Sequence, residues 1–180
     1  PHVSFQIRDV VASVVNTLVR NEDVDVGLTG GDVTDASLEV LHAGEDRLCV
    51  VCPDGHPLTS GKRIGLDEII RYPLVLTAAG TSVRAVVDAA FEHAGCAPVP
   101  TCEPTYMMTA VAMVRAGLGV TILPRSAREV RAEPMLVARV IDEPGFVRPI
   151  ALVKKRGRTL PPVTEAFVGV IVKGLGERQE

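Results

Sequence analysis

The sequence predicts an α/β fold in which two small lobes share one chain. Three observations predict it. Short valine-rich runs alternate with segments of helical periodicity along the whole length. Hydrophobic residues make up 47% and aromatics only 3%, with no Trp, so the cores must be built from Val, Leu, Ile and Ala, as in sheets covered by helices. The 180 residues are long for one compact α/β domain and comfortable for two lobes, which implies a cleft.

Each element follows from local pattern. Val3-Ser4-Phe5-Gln6-Ile7 alternates apolar and polar residues and predicts a strand. Asp9 is placed to cap a helix whose apolar positions are Val11, Val14, Val15, Leu18 and Val19. Residues 24–29 predict a second strand ended by Gly30-Gly31, and so short a βαβ return is expected to be parallel. Residues 38–43 and 48–52 predict two further extended runs, separated by Gly44-Glu45-Asp46-Arg47. Residues 53–65, rich in Gly, Pro and polar side chains, read as a loop, followed by a short helix over 66–70 and a strand over 74–77. The clearest helix follows Ser82, with Val83, Val86, Val87, Ala90, Phe91 and Ala94 on one face and Gly95 as its left-handed stop. A strand over 99–103, a helix over 106–116 stopped by Gly117, and a strand over 120–123 ended by Pro124 complete a second β/α series. Late strands are predicted at 135–141 and 147–154. Thr159, Pro161 and Pro162 then open a last helix with Val163, Phe167, Val170, Ile171 and Leu175 on its apolar face.

Charge narrows the function. The net charge is -3, and the one dense basic run, Lys154-Lys155-Arg156-Gly157-Arg158, reads as a solvated turn rather than a nucleic-acid face. Any DNA contact is therefore expected from residues outside this chain. No signal peptide opens the sequence and no apolar stretch approaches the roughly 18 residues of a membrane span, so a cytoplasmic setting without a membrane partner is expected. The chain starts at Pro1 without Met and reads as a fragment or an excised domain.

Nor does the sequence carry a reacting group with its partner. Cys49-Val-Val-Cys52 has a metal-like spacing but lies in a strand, where positions three apart face opposite ways; Cys96 and Cys102 read as small buried hydrophobes. His2, His42, His56 and His93 are scattered, His56 and His93 reading as solvated, and no H-E-x-x-H, G-x-S-x-G or P-loop occurs. Asp23, Asp25, Asp32 and Asp35 sit where Asp serves the local backbone. No catalytic residue, metal or cofactor is expected.

Binding is a better fit. The turn Thr77-Ala78-Ala79-Gly80-Thr81-Ser82 joins a strand end to a helix start, where unpaired N–H groups, the positive helix end and hydroxyls would hold a small organic anion. The alternative reading, in which Ser82 only caps its helix, stands beside it. Glu103-Pro104-Thr105-Tyr106, leading to Met107, is a second such junction, and Val26-Gly27-Leu28-Thr29-Gly30-Gly31 ends a strand in the other lobe.

These residues resemble one known family, the LysR-type regulators. The matching stretches are Glu22 to Leu28, Leu48 to Pro53 with His56-Pro57-Leu58, and Val114-Arg115-Ala116-Gly117-Leu118-Gly119-Val120-Thr121-Ile122-Leu123-Pro124. Arg148-Pro149-Ile150 and Gly157 to Pro162 with Phe167 fit the closing pattern. The resemblance implies the effector-binding domain of such a regulator: two Rossmann-like lobes joined by two crossover segments, like a type 2 periplasmic binding protein, with an inducer held between them. Lobe I would be residues 1–45 and 157–180, lobe II residues 46–156. It also implies a homodimer or homotetramer, a winged helix-turn-helix outside this chain that binds DNA, and effector contacts at Thr29, at Thr77, Gly80, Thr81 and Ser82, and at Thr105, Tyr106 and Met107. The family's first strand and helix are expected to be missing here, which would leave backbone groups of residues 3–7 and 24–28 unpaired. A solute-binding protein or a small transferase or hydrolase using the same cleft is the alternative.

Overall fold

The computed structural model describes residues 3–60 and 63–176. The chain divides into two compact units, Pro1–Glu45 with Pro149–Glu180 (unit 1) and Asp46–Arg148 (unit 2).

Unit 1 is built on helix α1 (Ala12–Arg20) and strand β1 (Gly27–Gly30), with the first part of β2 (Leu38–Pro53), the last part of β7 (Val147–Lys155) and α6 (Pro162–Gly176). β1 pairs antiparallel with β7, from Gly27 opposite Val153 to Gly30 opposite Ile150. The small core joins Val19 to Leu38, Ala151 and Val153, with Val15, Val24 and Val33 packed around it. Gly27 makes the helix-on-strand contact possible: a Cβ there would lie 2.5 Å from Val15 Cγ1 and 2.7 Å from Val19 Cγ2.

Several expectations fail in this unit. Residues 3–11 form no strand, and Phe5 and Ile7 are 59% and 85% exposed. Alternation alone does not make a strand; a hydrogen-bonded neighbour does. The expected parallel βαβ unit is therefore absent, and β1 starts at Gly27 rather than Val24 and runs antiparallel to β7. Asp9 caps nothing: Val11 is the N-cap of α1, with no side-chain bond. The runs at 38–43 and 48–52 are one sixteen-residue strand, because Gly44 to Arg47 stay extended and carry β2 from unit 1 into unit 2. On α6 no residue is buried, and Val163 and Val170 are exposed, although Phe167 meets Phe5 with ring centroids 4.6 Å apart.

Unit 2 holds a sheet in the order β6 (Leu136–Val140), β2, β5 (Val120–Pro124), β3 (Leu74–Val75), β4 (Pro100–Cys102). β2 is antiparallel to β5 and β6, whereas β3 runs parallel to both β4 and β5. Helices α3 (Ser82–His93) and α4 (Met107–Arg115) sit where the periodicity predicts, with short helices α2 (Leu66–Ile69) and α5 (Arg128–Arg131), the latter not anticipated. Both faces of the sheet are covered. On one face Leu48, Val50, Cys52, Leu74, Val120 and Ile122 pack against Val83, Val87, Ala90 and Phe91 of α3. On the other, Val51 and Leu123 pack against Val111 and Val114 of α4 and Val130 of α5. Full burial on both faces explains why the middle of β2 reads as an unbroken apolar run and β5 as one interrupted only by Thr121. Phe91 and Phe146 meet edge-on at 6.4 Å.

Candidate functional site

The parallel pairing of β3 and β4 puts the carboxyl ends of two strands side by side. Beyond the short ladder, Leu76 N–H donates to Cys102 O (3.1 Å) and Ala78 N–H to Pro104 O (2.8 Å). The turn of residues 77–82 and the junction of residues 103–107 are thereby neighbours. Of the candidate residues, Thr77, Gly80, Thr81, Ser82, Thr105, Tyr106 and Met107 gather here in unit 2. Thr29 lies in β1 of unit 1, 4% exposed, its hydroxyl without a hydrogen-bond partner.

Within the turn the roles separate. Thr81, not Ser82, caps α3: its Oγ1 accepts from Arg84 N–H at 3.2 Å. Gly80 has φ +86°, the left-handed region that lets the chain reverse before the helix. Thr77 is 3% exposed and lies 2.9 Å from Thr81, hydroxyl to hydroxyl, so it belongs to the frame of the turn. Ser82 is half-buried at the first position of the helix. At the second junction Thr105 is exposed and Tyr106 is 58% exposed at the head of α4, whereas Met107 packs against the second core cluster.

Two charged groups frame these turns, and sequence reasoning assigned neither. Arg84 donates to Asp88 at 2.7 Å, to Glu103 and to Thr77 O at 3.3 Å, tying the first turn of α3 to the second junction. Burial disfavours its charge, but Asp88 and Glu103 outweigh that and raise its pKa above the ordinary value. Arg148, on β7, donates from Nη1 to Ser82 Oγ and from Nη2 to Asp46 Oδ2, both at 3.3 Å. Asp46 is 7% exposed and also accepts from Ser126 N–H and O–H. Burial pushes the Arg148 pKa below its ordinary value against the pull of Asp46, and its Nε is enclosed without a partner. No spacing pattern could have flagged this group, since Arg148 and Asp46 are 102 residues apart.

The other candidates resolve into local roles. Cys49 and Cys52 are buried on opposite faces of β2, and among the described residues no cluster of His, Cys, Asp or Glu could hold a metal. Burial pushes the Cys49 thiol from 9.0 up to about 11, so at pH 8 its thiolate population is about a hundredfold below that of an ordinary cysteine. Iodoacetamide is therefore expected to label Cys96 and Cys102 in the native protein and Cys49 and Cys52 only after denaturation. Native labelling of Cys49 at the rate of a free thiol, read by peptide mass, would contradict this. His93 is exposed as expected, but His56 is half-buried, with Nδ1 accepting from Leu58 N–H and its ring 4.5 Å from Tyr72; burial lowers its pKa. His42 lies in β2 with an enclosed, unpartnered Nε2, and His2 lies outside the described residues.

The basic run begins in β7 and turns at the exposed residues 156 and 157 as expected, but its cations are not merely solvated. Lys154 pairs with Glu39, Lys155 with Glu22 and Arg158 with Asp25, while Arg156 donates to Ala36 O and Leu38 O. These cations are committed to groups of unit 1. A cavity of about 600 Å³ in unit 1, with Val15, Leu18, Val24, Phe167 and Ile171 in its walls, is lined by none of the eight candidate residues. Among the described residues no helix is long and apolar enough to cross a membrane.

Comparison with known proteins agrees with this architecture. The chain is 29% identical over 177 residues to the uncharacterized HTH-type transcriptional regulator YybE of Bacillus subtilis, covering 98% of this chain and 60% of that protein. It is 27% identical over 176 residues to the transcriptional dual regulator GltC of the same organism, covering 96% and 58%. It thus spans about 60% of the length of these curated relatives. The fold matches the effector-binding domain of QuiR, solved in complex with shikimate, with TM-score 0.78 and 21% identity over 93% of this chain and 79% of that one. The family model of the LysR substrate binding domain matches residues 1–176, and the chain belongs to that family.

Proposed function

We propose that this chain is the effector-sensing part of a LysR-type transcription regulator and that it holds a small organic anion at the paired junctions of residues 77–82 and 105–107. The observation that carries the reading is the side-by-side placement of two strand ends by the parallel β3–β4 pair, with a twelve-residue helix starting at one of them. The shikimate complex of QuiR supports a carboxylate as the ligand class. Thr29 is not part of this proposed site, because its hydroxyl is enclosed on the β1 face that also carries Gly27, the face α1 covers.

In this reading the two lobes are residues 1–45 with 149–180 and residues 46–148, the second crossover falling at the start of β7 and not after it as the sequence suggested. Effector binding favours one arrangement of a homodimer or homotetramer, and a winged helix-turn-helix outside this chain reports it to DNA in the cytoplasm. The ligand is bound and released unchanged; the relatives are transcription regulators.

Thermal-shift screening of metabolite carboxylates, followed by calorimetry, tests the proposal. Ser82→Ala is expected to weaken a hit about tenfold, the worth of one hydrogen bond to a charged group. Binding left unchanged by both Ser82→Ala and Thr77→Ala would remove the site from this turn.

A further inference from the structure

The hydroxyls of the turn can be told apart by counting protons, since each has one to give. Thr81 O–H donates to Ala78 O at 2.9 Å, while its oxygen accepts from Arg84 N–H. In the 2.9 Å contact between Thr77 and Thr81, Thr77 must therefore be the donor, and its proton is spent. Ser82 differs. A guanidinium can only donate, so Ser82 Oγ is the acceptor in its contact with Arg148, and its own proton has no acceptor among the described residues. Beside it are the first two N–H groups of α3, those of Ser82 and Val83, which no carbonyl of the described residues takes. The next two are satisfied, Arg84 N–H by Thr81 Oγ1 and Ala85 N–H by Thr81 O.

We infer that Arg148 is a positioning residue that holds Ser82 as a hydrogen-bond donor to the carboxylate of the effector. The inference rests on the reading of this turn as the effector site. The guanidinium takes one of the two Ser82 lone pairs and places positive charge beside the other, so the hydroxyl is biased to donate toward a ligand, next to the two N–H donors at the head of α3. That favours an acceptor-only group, and a carboxylate accepts several such bonds at once. Arg148 acts through orientation and not as a free charge, because Asp46, itself held by Ser126, neutralises it within hydrogen-bond distance.

The experiment is a double-mutant cycle read by calorimetry with shikimate, benzoate and succinate, each beside its methyl ester. Removing Arg148 alone strands a buried carboxylate, so the variant is Arg148→Met with Asp46→Leu, which removes both charges together. Circular dichroism and the melting temperature establish that it folds. Expected results are a preference of about tenfold or more for a carboxylate over its ester in the native sequence, loss of most of it in Ser82→Ala and in the charge-free variant, and little further loss when the two are combined. Arg148→Lys, which keeps a donor toward Ser82 and Asp46, should restore part of the preference. A merely structural role for Arg148 would lower carboxylate and ester binding alike. If a carboxylate binds and depends on Ser82 but the folded charge-free variant keeps the full preference, the role of Arg148 is overturned and the site stands. If Ser82→Ala changes nothing, or no probe binds, the site reading falls and the inference with it.

Discussion

Replacing Asp46 with alanine is expected to lower the stability of unit 2 by roughly 3–5 kcal/mol, the cost of stranding a buried charge whose partner remains. Asp46 is 7% exposed and accepts from Arg148 and from both donors of Ser126, so the substitution leaves three donors without their acceptor. Urea unfolding followed by circular dichroism measures the loss. Asp46→Leu with Arg148→Met should recover most of it, since removing both charges avoids the uncompensated guanidinium. A single Asp46→Ala variant as stable as the native protein would mean that the pair is solvated in solution and frames nothing.

Gly119→Ala should be comparably severe. Gly119 has φ +145°, and a Cβ there would stand 2.2 Å from the carbonyl oxygen of Pro73, the oxygen that accepts from Val120 N–H at 2.9 Å. The obstacle is backbone and cannot rotate away. Relief requires β5 to move off β3, so backbone strain and overpacking add, for about 3–5 kcal/mol together. Gly117→Ala in the same loop makes a useful contrast: Gly117 also has positive φ, +78°, but a Cβ there meets nothing within 4 Å. It should cost only about 1–2 kcal/mol, the price of a left-handed alanine. Equal melting temperatures for the two variants would show that the close approach at Pro73 is absent in solution.

How far the fold was legible varied along the chain for physical reasons. α3 was readable because Val83, Val87, Ala90 and Phe91 recur at helical spacing and bury against one sheet face, and Gly95 stops the helix with φ +70°. β5 was readable because a strand covered on both faces is apolar apart from Thr121, whose hydroxyl is buried with the rest. Residues 3–7 have an equally regular pattern and no strand, because the pattern says which face would be buried but not whether a neighbouring strand exists. The break proposed at Gly44 to Arg47 failed because composition suggested a turn where β2 in fact runs on extended, and turn preference is a local tendency that strand continuity overrides. For the site, the strand-to-helix turns could be named from hydroxyls, glycine and helix starts. Which threonine caps α3, and which hydroxyl keeps its proton, depends on distances no linear pattern encodes.

What the sequence determined by itself is therefore the local chemistry: alternating strands and helices, the glycines that turn the chain, two hydroxyl-bearing junctions, and the motif spacing of the LysR substrate-binding family. The tertiary structure alone decided which of these elements pair and which groups face the turn at residues 77–82. Periodicity and turn preference act over a few neighbouring residues, whereas Arg148 meets Ser82 across 66 residues and Asp46 across 102, and only the folded chain brings such groups within hydrogen-bond reach.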